Sequence, residues 1–541
     1  MISGAEIMVK CLEQENVEIL FGYPGAAICP FYDSLMDSPI KHILVRQEQN
    51  SVHAASGYAR SVSKPGVCVA TSGPGATNLI TGIATAYMDS IPIIAITGQV
   101  RSDLIGRDVF QEADITGACE PFVKHSYLVK NTEDLPRVFK EAFYIATTGR
   151  PGPVLIDVPV DIQTNKIDKF VYPEKADIPG YKPSVQGHIK QIEKAVALIQ
   201  SASRPVICAG GGVLTSGSKL KLVEFATKTG IPVVSTMMGI GVMPTENPLY
   251  LGMLGSHGKG VANRAIHEAD VIMLCGARVG DRAVASPDQL SAHSKIIHID
   301  IDPAEIGKNV EVTVPIVGDM KNVINKINDT IGDYHVPHMW ADTTERWKKE
   351  LFRTAPRFEG CVEPRSFIAK LSEMLPNKSI LVADVGQNQI WCANNFRIKE
   401  GRFLTTGGMG TMGYSVPAAV GAKFARPDRE VVVVCGDGSF QMGMNELGTI
   451  AQNHLNVKII IMRNDRLGMV RELQKNLYHE RYTATFLDEE APDFMKIAEA
   501  YNIDSAYATS NEEAEKYAKQ MIESDKSFVL VCRVSPDTPS I

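Results

Sequence analysis

The chain has 541 residues, which is too long for one hydrophobic core and predicts about three domains of common size. Its net charge is −7 and its pI is near 6.0, without a dense cluster of Lys and Arg, so nucleic acid is not expected as a partner. No apolar stretch reaches the length of a membrane span, and the ten cysteines are scattered without a Cys-x-x-Cys pair. These features predict no membrane partner and reduced thiols in the cytoplasm.

Short apolar runs alternate with helical patterns along the whole chain, which predicts an α/β fold of three doubly wound parallel-sheet domains. Strands are predicted over residues 66–71, 91–96 and 153–158 in the first third, 205–209, 271–275 and 295–300 in the second, and 379–384, 430–435 and 457–462 in the last. Two polar stretches that contain proline, residues 164–184 and 334–364, are the predicted linkers. The expected domains cover residues 1–165, 185–335 and 360–541.

A glutamate in the first third is a candidate catalytic group. Glu48 follows a predicted strand and precedes a helical pattern over residues 51–60, so its carboxylate is expected at the edge of a sheet. Burial there would raise its pKa into the range that is useful for proton exchange. The alternative interpretation is a solvated glutamate that the helix dipole stabilises.

A glycine triplet, Gly210-Gly211-Gly212, follows the predicted strand 205–209 in the middle third. Such a triplet after a strand suits the turn of a dinucleotide site, because the backbone can approach a phosphate closely. An ordinary tight turn explains the same residues, so the triplet alone leaves both interpretations open.

The last third carries the most informative pattern. The predicted strand 430–435 runs into Gly436-Asp437-Gly438-Ser439, and the strand 457–462 delivers Asn464. Glycine at the turn lets backbone N–H groups approach a diphosphate at the start of the helix predicted over residues 441–454. One crossover helix separates the two strands, so Asp437 and Asn464 reach neighbouring carboxyl ends of one sheet. Their oxygen atoms suit a hard cation such as Mg²⁺.

These motifs, in this order, resemble those of the thiamine diphosphate-dependent enzymes, and in particular the catalytic subunit of acetohydroxyacid synthase (acetolactate synthase). Further matching segments are residues 71–78 (Thr-Ser-Gly-Pro-Gly-Ala-Thr-Asn), 150–157 (Arg-Pro-Gly-Pro-Val-Leu-Ile-Asp), 407–413 (Gly-Gly-Met-Gly-Thr-Met-Gly) and 466–470 (Arg-Leu-Gly-Met-Val). The resemblance covers nearly the whole chain. It implies the thiamine diphosphate-binding fold, with a pyrimidine-binding domain first, a central FAD-binding domain and a diphosphate- and magnesium-binding domain last.

The resemblance assigns roles to individual residues of this chain. Asp437, Asn464 and the backbone carbonyl of Arg466 would hold Mg²⁺ on the cofactor diphosphate. Glu48 would activate the cofactor, because a carboxylate beside the aminopyrimidine drives its imino form, and Met412 would support the bent shape of the cofactor. The remaining thiamine diphosphate contacts would come from Gly25, Gln387, Gly410, Gly436, Gly438, Ser439 and Met469.

A second cofactor is implied for the middle domain. FAD would be structural there, because carboligation moves no net electrons. The positions that match FAD contacts in the synthases are Gly211, Gly212, Arg278, Asp300 and Asp319. The catalytic centre would also contain Phe110 and Gln111, which line it, and Arg282, whose planar guanidinium would receive the substrate carboxylate.

The implied activity is that of a carboligase, which decarboxylates pyruvate and transfers the two-carbon unit to a second 2-keto acid in branched-chain amino acid biosynthesis. A related 2-keto acid decarboxylase or acyl-transferring lyase with a different substrate is the main alternative, and a flavin-dependent oxidase is another. A non-catalytic binding protein is disfavoured because Glu48, Asp437 and Asn464 are all present. The resemblance also implies a homodimer or homotetramer with interfacial active sites, and a small regulatory subunit as a candidate partner.

The sequence departs from the family pattern near the expected site. Arg463 replaces the first residue of an Asn-Asn pair, and Leu473 and Val160 stand where the synthases have Trp and Lys. Residues 279–280 (Val-Gly) replace Phe-Asp in the FAD segment, and the chain stops at Ile541 without the longer proline-rich C-terminal arm. A less closed and less basic site would suit a different keto acid or acceptor, or would release an aldehyde instead of coupling it.

Overall fold

The fold comes from a computed structural model, which describes residues 1–284, 287–352 and 354–541. The described residues form three six-stranded sheets, one in each third of the chain, and every strand of these sheets pairs in parallel with its neighbours. The predicted α/β fold of three doubly wound parallel sheets is confirmed. In the part of the chain that is described, no helix is long and apolar enough to cross a membrane.

The first sheet has the spatial order β2-β1-β3-β4-β6-β5. Its strands are β1 (Ile19–Tyr23), β2 (Lys41–Leu44), β3 (Gly66–Ala70), β4 (Ile93–Gln99), β5 (His125–Leu128) and β6 (Val154–Pro159). The helices of this region are α1 (Gly4–Gln14), α2 (Cys29–Leu35), α3 (Glu48–Val62), α4 (Pro74–Asn78), α5 (Ile80–Met88), α6 (Ile115–Cys119), α7 (Leu135–Thr147) and α8 (Val160–Thr164). Two further short strands, Ile2–Ser3 and Lys166–Ile167, form an antiparallel pair.

The second sheet has the order β9-β8-β7-β10-β11-β12, which is the 3-2-1-4-5-6 order of dinucleotide-binding sheets. Its strands are β7 (Pro205–Ala209), β8 (Val233–Ser235), β9 (Tyr250–Met253), β10 (Val271–Cys275), β11 (Lys295–Asp300) and β12 (Val314–Val317). Its helices are α9 (Ile189–Gln200), α10 (Gly211–Thr215), α11 (Lys219–Thr229), α12 (Gly260–Glu268), α13 (Pro287–His293), α14 (Met320–Thr330) and α15 (His338–Glu350).

Helix α15 lies inside the stretch 334–364, which the sequence predicted as a linker. Trp340 and Trp347 are buried in the core of the second sheet, and their rings meet edge-on with centroids 5.6 Å apart. The indole of Trp340 also donates a hydrogen bond to the carbonyl oxygen of Pro205 at 3.1 Å. The helix was missed because its other positions are mostly polar, so only two tryptophans two turns apart indicate the buried face.

The third sheet has the order β14-β13-β15-β16-β18-β17, which repeats the topology of the first sheet. Its strands are β13 (Ile380–Ala383), β14 (Arg402–Leu404), β15 (Val431–Gly436), β16 (Lys458–Arg463), β17 (Asp504–Ala508) and β18 (Phe528–Arg533). Its helices are α16 (Pro364–Met374), α17 (Gln387–Asn395), α18 (Ser415–Ala425), α19 (Asp437–Gly443), α20 (Leu447–Gln452), α21 (Gly468–Leu477), α22 (Phe494–Ala500) and α23 (Asn511–Glu523).

The helix predicted over residues 441–454 begins earlier and is interrupted. It consists of α19, a 3₁₀ turn over Met444–Glu446, and α20, which ends at Gln452. The predicted start is too late because glycine after a strand indicates a turn, whereas Asp437 occupies the first helical position and Gly438 follows it within the helix. The Asp437 carboxylate therefore lies at a helix N-terminus.

The first and third sheets pack together through helices α3 and α18. A Cβ on Gly57 would lie 2.0 Å from the carbonyl oxygen of Ala418, and a Cβ on Gly421 would lie 1.8 Å from that of Ala54. The two helix backbones can therefore approach this closely only because both positions are glycine. Residues of both sheets consequently share one hydrophobic core.

Candidate functional site

The second and third sheets share one large cavity at the carboxyl ends of their strands, with a volume of about 1010 Å³. Small-molecule sites usually measure roughly 300–1,000 Å³, so this cavity lies at the upper end of that range. Its lining includes Gly211, Gly212, Arg278, Arg282, Asp300, Asp319, Gln387, Gly410, Met412, Gly436, Asp437, Gly438, Ser439, Asn464, Arg466 and Met469. A single chain thus brings together the predicted site residues of its central and C-terminal regions.

The Asp437 carboxylate is buried and held by three backbone N–H groups. Its Oδ2 accepts from the N–H of Asn464 at 3.0 Å and of Asp465 at 2.6 Å, and its Oδ1 accepts from the N–H of Gly438 at 2.9 Å. Burial raises the pKa of Asp437 to about 6, although these hydrogen bonds act in the opposite direction. The side-chain oxygen of Asn464 accepts the N–H of Arg466 at 3.1 Å, so both candidate ligands are fixed in orientation.

The donor set around Asp437 fits Mg²⁺ bound together with phosphate oxygens. Asp437 supplies one carboxylate, Asn464 one amide oxygen and Arg466 one backbone carbonyl. Among the described residues, no group of three or more His, Cys, Asp or Glu side chains is arranged to hold a metal ion. Mg²⁺ is commonly bound by one or two carboxylates and completes its shell with phosphate and water oxygens, which matches these residues.

The turn between β15 and α19 is shaped for the close approach of an anion. A Cβ on Gly438 would lie 2.9 Å from Cδ2 of Leu467 and 3.5 Å from Cε of Met412, so only glycine leaves this space free. The Ser439 hydroxyl exchanges hydrogen bonds with the backbone of Gly436 at 3.1 and 3.2 Å, which holds the first turn of the helix. A helix N-terminus bounded in this way fits a diphosphate.

The Gln387 side chain is largely occupied by other protein groups. Its amide nitrogen donates to Oε2 of Glu472 at 2.9 Å and to the carbonyl oxygen of Thr538 at 3.0 Å. Its amide oxygen accepts from the side chain of Asn464 at 3.3 Å. Gln387 therefore connects the candidate metal ligand to α21 and to the C-terminal segment, and its direct contact with a diphosphate stays a prediction.

The segment that contains Gly410 and Met412 is held by two buried carboxylates. Asp384 accepts the backbone N–H of Gly413 at 3.2 Å and of Ser415 at 2.9 Å. Asp89, from the first third of the chain, accepts the N–H of Gly408 at 2.8 Å. Burial raises the pKa of both carboxyl groups. The glycine-rich segment is thereby fixed from both the third and the first domain.

The part of the cavity next to the second sheet lies where the strand order reverses. Strands β7 and β10 are neighbours there, and the N–H of Gly212 donates to the carbonyl oxygen of Gly276 at 3.0 Å. Asp300 ends β11, and its burial raises its pKa to about 6. Ligands of doubly wound sheets bind at this switch point, so the predicted dinucleotide positions meet at the place that the topology favours.

Two arginines of the second domain differ in their surroundings. Arg278 is largely buried and donates to the carbonyl oxygen of Met88 at 2.6 Å. The side chain of Arg282 is 78% exposed, and its Nε lies 3.7 Å from the carboxylate of Asp281. Asp319 accepts two backbone N–H groups in the first turn of α14 and so acts as the cap of that helix. The exposed guanidinium of Arg282 is therefore the one of this pair that is available to a substrate anion.

Glu48 and Gly25 do not line this cavity. Glu48 is the first residue of α3, as the sequence predicted for a residue after a strand, and its carboxylate accepts from the side chain of Asn78 at 2.9 Å. A Cβ on Gly75 would lie 3.6 Å from Oε1 of Glu48, and one on Gly25 would lie 2.5 Å from Thr71. Glu48 is only partly buried in a single chain, which differs from the expected burial.

Phe110 and Gln111 also lie outside the cavity, on an exposed loop of the first domain. The Phe110 side chain is 85% exposed. Gln111 has a positive φ of 59°, and a Cβ on Gly73 would lie 2.9 Å from its Cα. The loop is held by Glu112, whose carboxylate accepts the N–H of Val109 at 3.1 Å. Four predicted residues, Gly25, Glu48, Phe110 and Gln111, thus belong to a separate part of the surface.

The sequence reasoning missed several residues that position the site. Asp384 ends a predicted strand, so its place at a sheet edge was visible, but Asp89 follows a helix without any motif. Glu446 is fully buried and accepts from the N–H of Arg46 at 2.8 Å and from the side chain of Asn50 at 3.0 Å. These contacts cross between domains, and no local pattern in the sequence indicates them.

Comparison with protein families and with curated proteins gives consistent matches. Residues 2–118 match the thiamine pyrophosphate enzyme N-terminal TPP binding domain, residues 192–327 the central domain, and residues 384–532 the C-terminal TPP binding domain. A Methanocaldococcus jannaschii protein described as "Probable acetolactate synthase large subunit" is 46% identical over 99% of this chain and 92% of the relative. The acetolactate synthase of Arthrospira platensis is 42% identical over 99% and 95%, and the acetolactate synthase large subunit of Haemophilus influenzae is 43% identical over 92% and 88%.

Proposed function

Since this chain belongs to the thiamine pyrophosphate enzyme family, we propose that it is the catalytic large subunit of an acetolactate synthase. It would decarboxylate pyruvate and transfer the two-carbon unit to a second 2-keto acid, as in branched-chain amino acid biosynthesis. The observation that carries this proposal is the oxygen cluster of Asp437 and Asn464 beside the glycine turn, which faces the same cavity as Arg282. Identities of 42–46% to acetolactate synthases over 99% of the chain support it.

The C-terminal domain would hold thiamine diphosphate and Mg²⁺. Asp437, Asn464 and the carbonyl of Arg466 would bind the metal, and the turn at Gly436–Gly438 would bind the diphosphate. Bound thiamine diphosphate supplies a carbon nucleophile that adds to a 2-keto acid and accepts the electron pair released with carbon dioxide. The buried carboxylates of Asp89 and Asp384 would keep the segment around Met412 in place.

The remaining catalytic roles fall to residues of the first and second domains. Glu48 would exchange a proton with the cofactor ring as a general acid and base. Arg282 would bind the substrate carboxylate through a bidentate pair of charge-assisted hydrogen bonds. Phe110 and Gln111 would line the reaction centre and exclude water, which strengthens electrostatic stabilisation there.

A structural FAD in the second domain is part of this proposal. The 3-2-1-4-5-6 strand order, the glycine turn at Gly211–Gly212 and the extension of the cavity to Asp300 and Asp319 support it. The absorption spectrum of the purified protein tests the proposed FAD site: a flavin spectrum is expected, and a colourless, fully active protein would contradict it.

The proposed domain limits, residues 1–165, 185–335 and 360–541, each enclose one six-stranded sheet.

A homodimer or homotetramer with interfacial sites completes the proposal. Glu48 and Phe110 do not line the cavity of their own chain, so a complete site would need these residues from a second copy. Relatives are described as large subunits, so a small regulatory subunit is a proposed partner. A cytoplasmic location is also proposed, because all ten cysteines are free thiols.

A 2-keto acid decarboxylase or related lyase is the second candidate, and Leu473 is the observation that favours it. Leu473 lines the cavity and is 45% exposed, so the wall that faces a second substrate is open. Purified protein would be incubated with pyruvate, thiamine diphosphate and Mg²⁺, and the products identified by NMR. Acetolactate supports the synthase, acetaldehyde alone supports the decarboxylase, and consumption of no pyruvate contradicts both.

A further inference from the structure

Arg463 ends β16 directly before the candidate metal ligand Asn464, and its side chain is only 12% exposed. Its Nε donates to Oδ1 of Asp465 at 2.6 Å. Its Nη2 donates to the backbone carbonyl of Glu489, and the guanidinium lies 5.6 Å from the centre of the Phe494 ring. The side chain thus holds two different segments next to the metal loop at once.

The first of these segments is the metal loop itself. Asp465 has a positive φ of 56°, a conformation that residues other than Gly, Asn and Asp seldom adopt. In this conformation its N–H points at Asp437 and donates to Oδ2 at 2.6 Å. The ion pair with Arg463 holds the Asp465 side chain in place, so it also stabilises the backbone that orients the Asp437 carboxylate.

The pair has an electrostatic consequence as well. Asp465 places a second carboxylate close to Asp437, and Arg463 neutralises it through a charge-assisted hydrogen bond. The loop then presents one carboxylate to a cation, that of Asp437, together with the neutral oxygens of Asn464 and Arg466. Without Arg463, Asp465 would be free to turn toward the cation and to pull the loop out of its left-handed conformation.

The second segment covers the glycine turn. The N–H of Leu467 donates to the carbonyl oxygen of Thr485 at 2.8 Å, and the N–H of Leu487 donates to that of Asp465 at 3.0 Å. A Cβ on Gly438 would lie 3.3 Å from Cδ1 of Leu487, so this side chain lies over the proposed diphosphate site. Arg463 anchors the end of the covering segment at Glu489.

We propose that Arg463 is a positioning residue for Mg²⁺, and this inference rests on the proposed function of the site. By binding Asp465 and Glu489, it preorganises the metal loop and attaches the covering segment 485–489 to it.

The test is the affinity for Mg²⁺, measured by calorimetry on metal-free protein with saturating thiamine diphosphate. Arg463→Asn should weaken Mg²⁺ binding by about tenfold or more, the size expected when a group that orients a metal ligand is removed. Arg463→Lys keeps the positive charge but not the planar guanidinium that donates to Asp465 and Glu489 at once. A loss of Mg²⁺ affinity of about threefold or more is therefore expected. The matched control is Arg426→Asn. Arg426 forms an ion pair at 2.8 Å with Asp428, which is also two residues further along the chain, so this substitution should leave Mg²⁺ binding unchanged.

A second-site variant separates positioning from a general effect on folding. Glycine adopts positive φ without strain and carries no competing carboxylate, so Arg463→Asn combined with Asp465→Gly should recover Mg²⁺ affinity to within about threefold of wild type. Equal Mg²⁺ affinity in wild type, Arg463→Asn and Arg463→Lys would overturn the inference and leave the proposed function intact. Failure of the wild type itself to bind Mg²⁺ with thiamine diphosphate would contradict both.

Discussion

At the scale of single residues, two carboxylates carry the proposed chemistry from different domains. Asp437 is buried at a helix N-terminus and is oriented by three N–H groups, whereas Glu48 is partly buried and contacts Asn78. The fixed orientation of Asp437 suits the role of a metal ligand, whereas the role proposed for Glu48 requires that a second chain bring the cofactor to its carboxylate.

Replacement of Glu48 tests the proton carrier. Glu48→Gln should retain thiamine diphosphate binding and lose about 10²-fold or more in turnover, because the amide keeps the size of the side chain but cannot exchange the proton. Steady-state kinetics and calorimetry check this prediction. Glu18→Gln, at an exposed glutamate of the same domain, is the control and should behave as wild type. Near-normal turnover in Glu48→Gln would remove Glu48 from the mechanism.

Replacement of Asp437 tests the metal site. Asp437→Ala should weaken Mg²⁺-dependent binding of thiamine diphosphate by about 100-fold or more, because it removes the one carboxylate of the proposed ligand set. Asp428→Ala removes an exposed carboxylate of the same domain and serves as control. Unchanged cofactor affinity in Asp437→Ala, measured by calorimetry, would place the metal elsewhere.

At the scale of elements, the approach of α3 to α18 connects the two thiamine domains of one chain. A Cβ on Gly421 would lie 1.8 Å from a backbone oxygen of α3, so the helices must move apart to admit it. Gly421→Ala should therefore lower the free energy of unfolding by about 1–3 kcal/mol, the usual cost of overpacking. Thermal or denaturant unfolding checks it. Gly280→Ala is the control, since a Cβ there has none of the described atoms within 4 Å.

The elements also show what the sequence could and could not predict. The central strands were predicted correctly because buried parallel strands are continuous apolar runs, such as residues 431–435. Helix α15 was missed because two tryptophans among polar residues give a weak periodic signal. The start of α19 was placed too late because glycine next to Asp437 was assigned to a turn rather than to the helix.

The sequence predicts the position of those site residues that lie at the ends of strands. Asp437, Asn464 and Asp300 follow apolar strands, so their position at sheet edges follows from the pattern. Asp89 accepts the N–H of Gly408 and Glu446 accepts that of Arg46, and tertiary packing alone brings these residues of different domains together. Their buried carboxylates could not have been distinguished from surface residues in the sequence.

At the scale of the whole molecule, one chain contains two groups of proposed site residues that do not meet in one cavity. The cavity contains Asp437 and Arg282, whereas Glu48 and Phe110 lie on another surface. A second copy related by two-fold symmetry would bring Glu48 and Phe110 of one chain to the cavity of the other chain, which contains Asp437 and Arg282. Each such contact would then form two complete sites.

Mixing two inactive variants is the most direct test of this arrangement. Glu48→Gln and Asp437→Ala subunits would be dissociated, mixed and re-associated, and acetolactate formation measured. Half of the randomly formed dimers are hybrids, each with one intact site, so the mixture should recover roughly a quarter of wild-type activity. Absence of recovery while hybrid dimers are shown to form, or an active species that sediments as a monomer, would contradict the interfacial site.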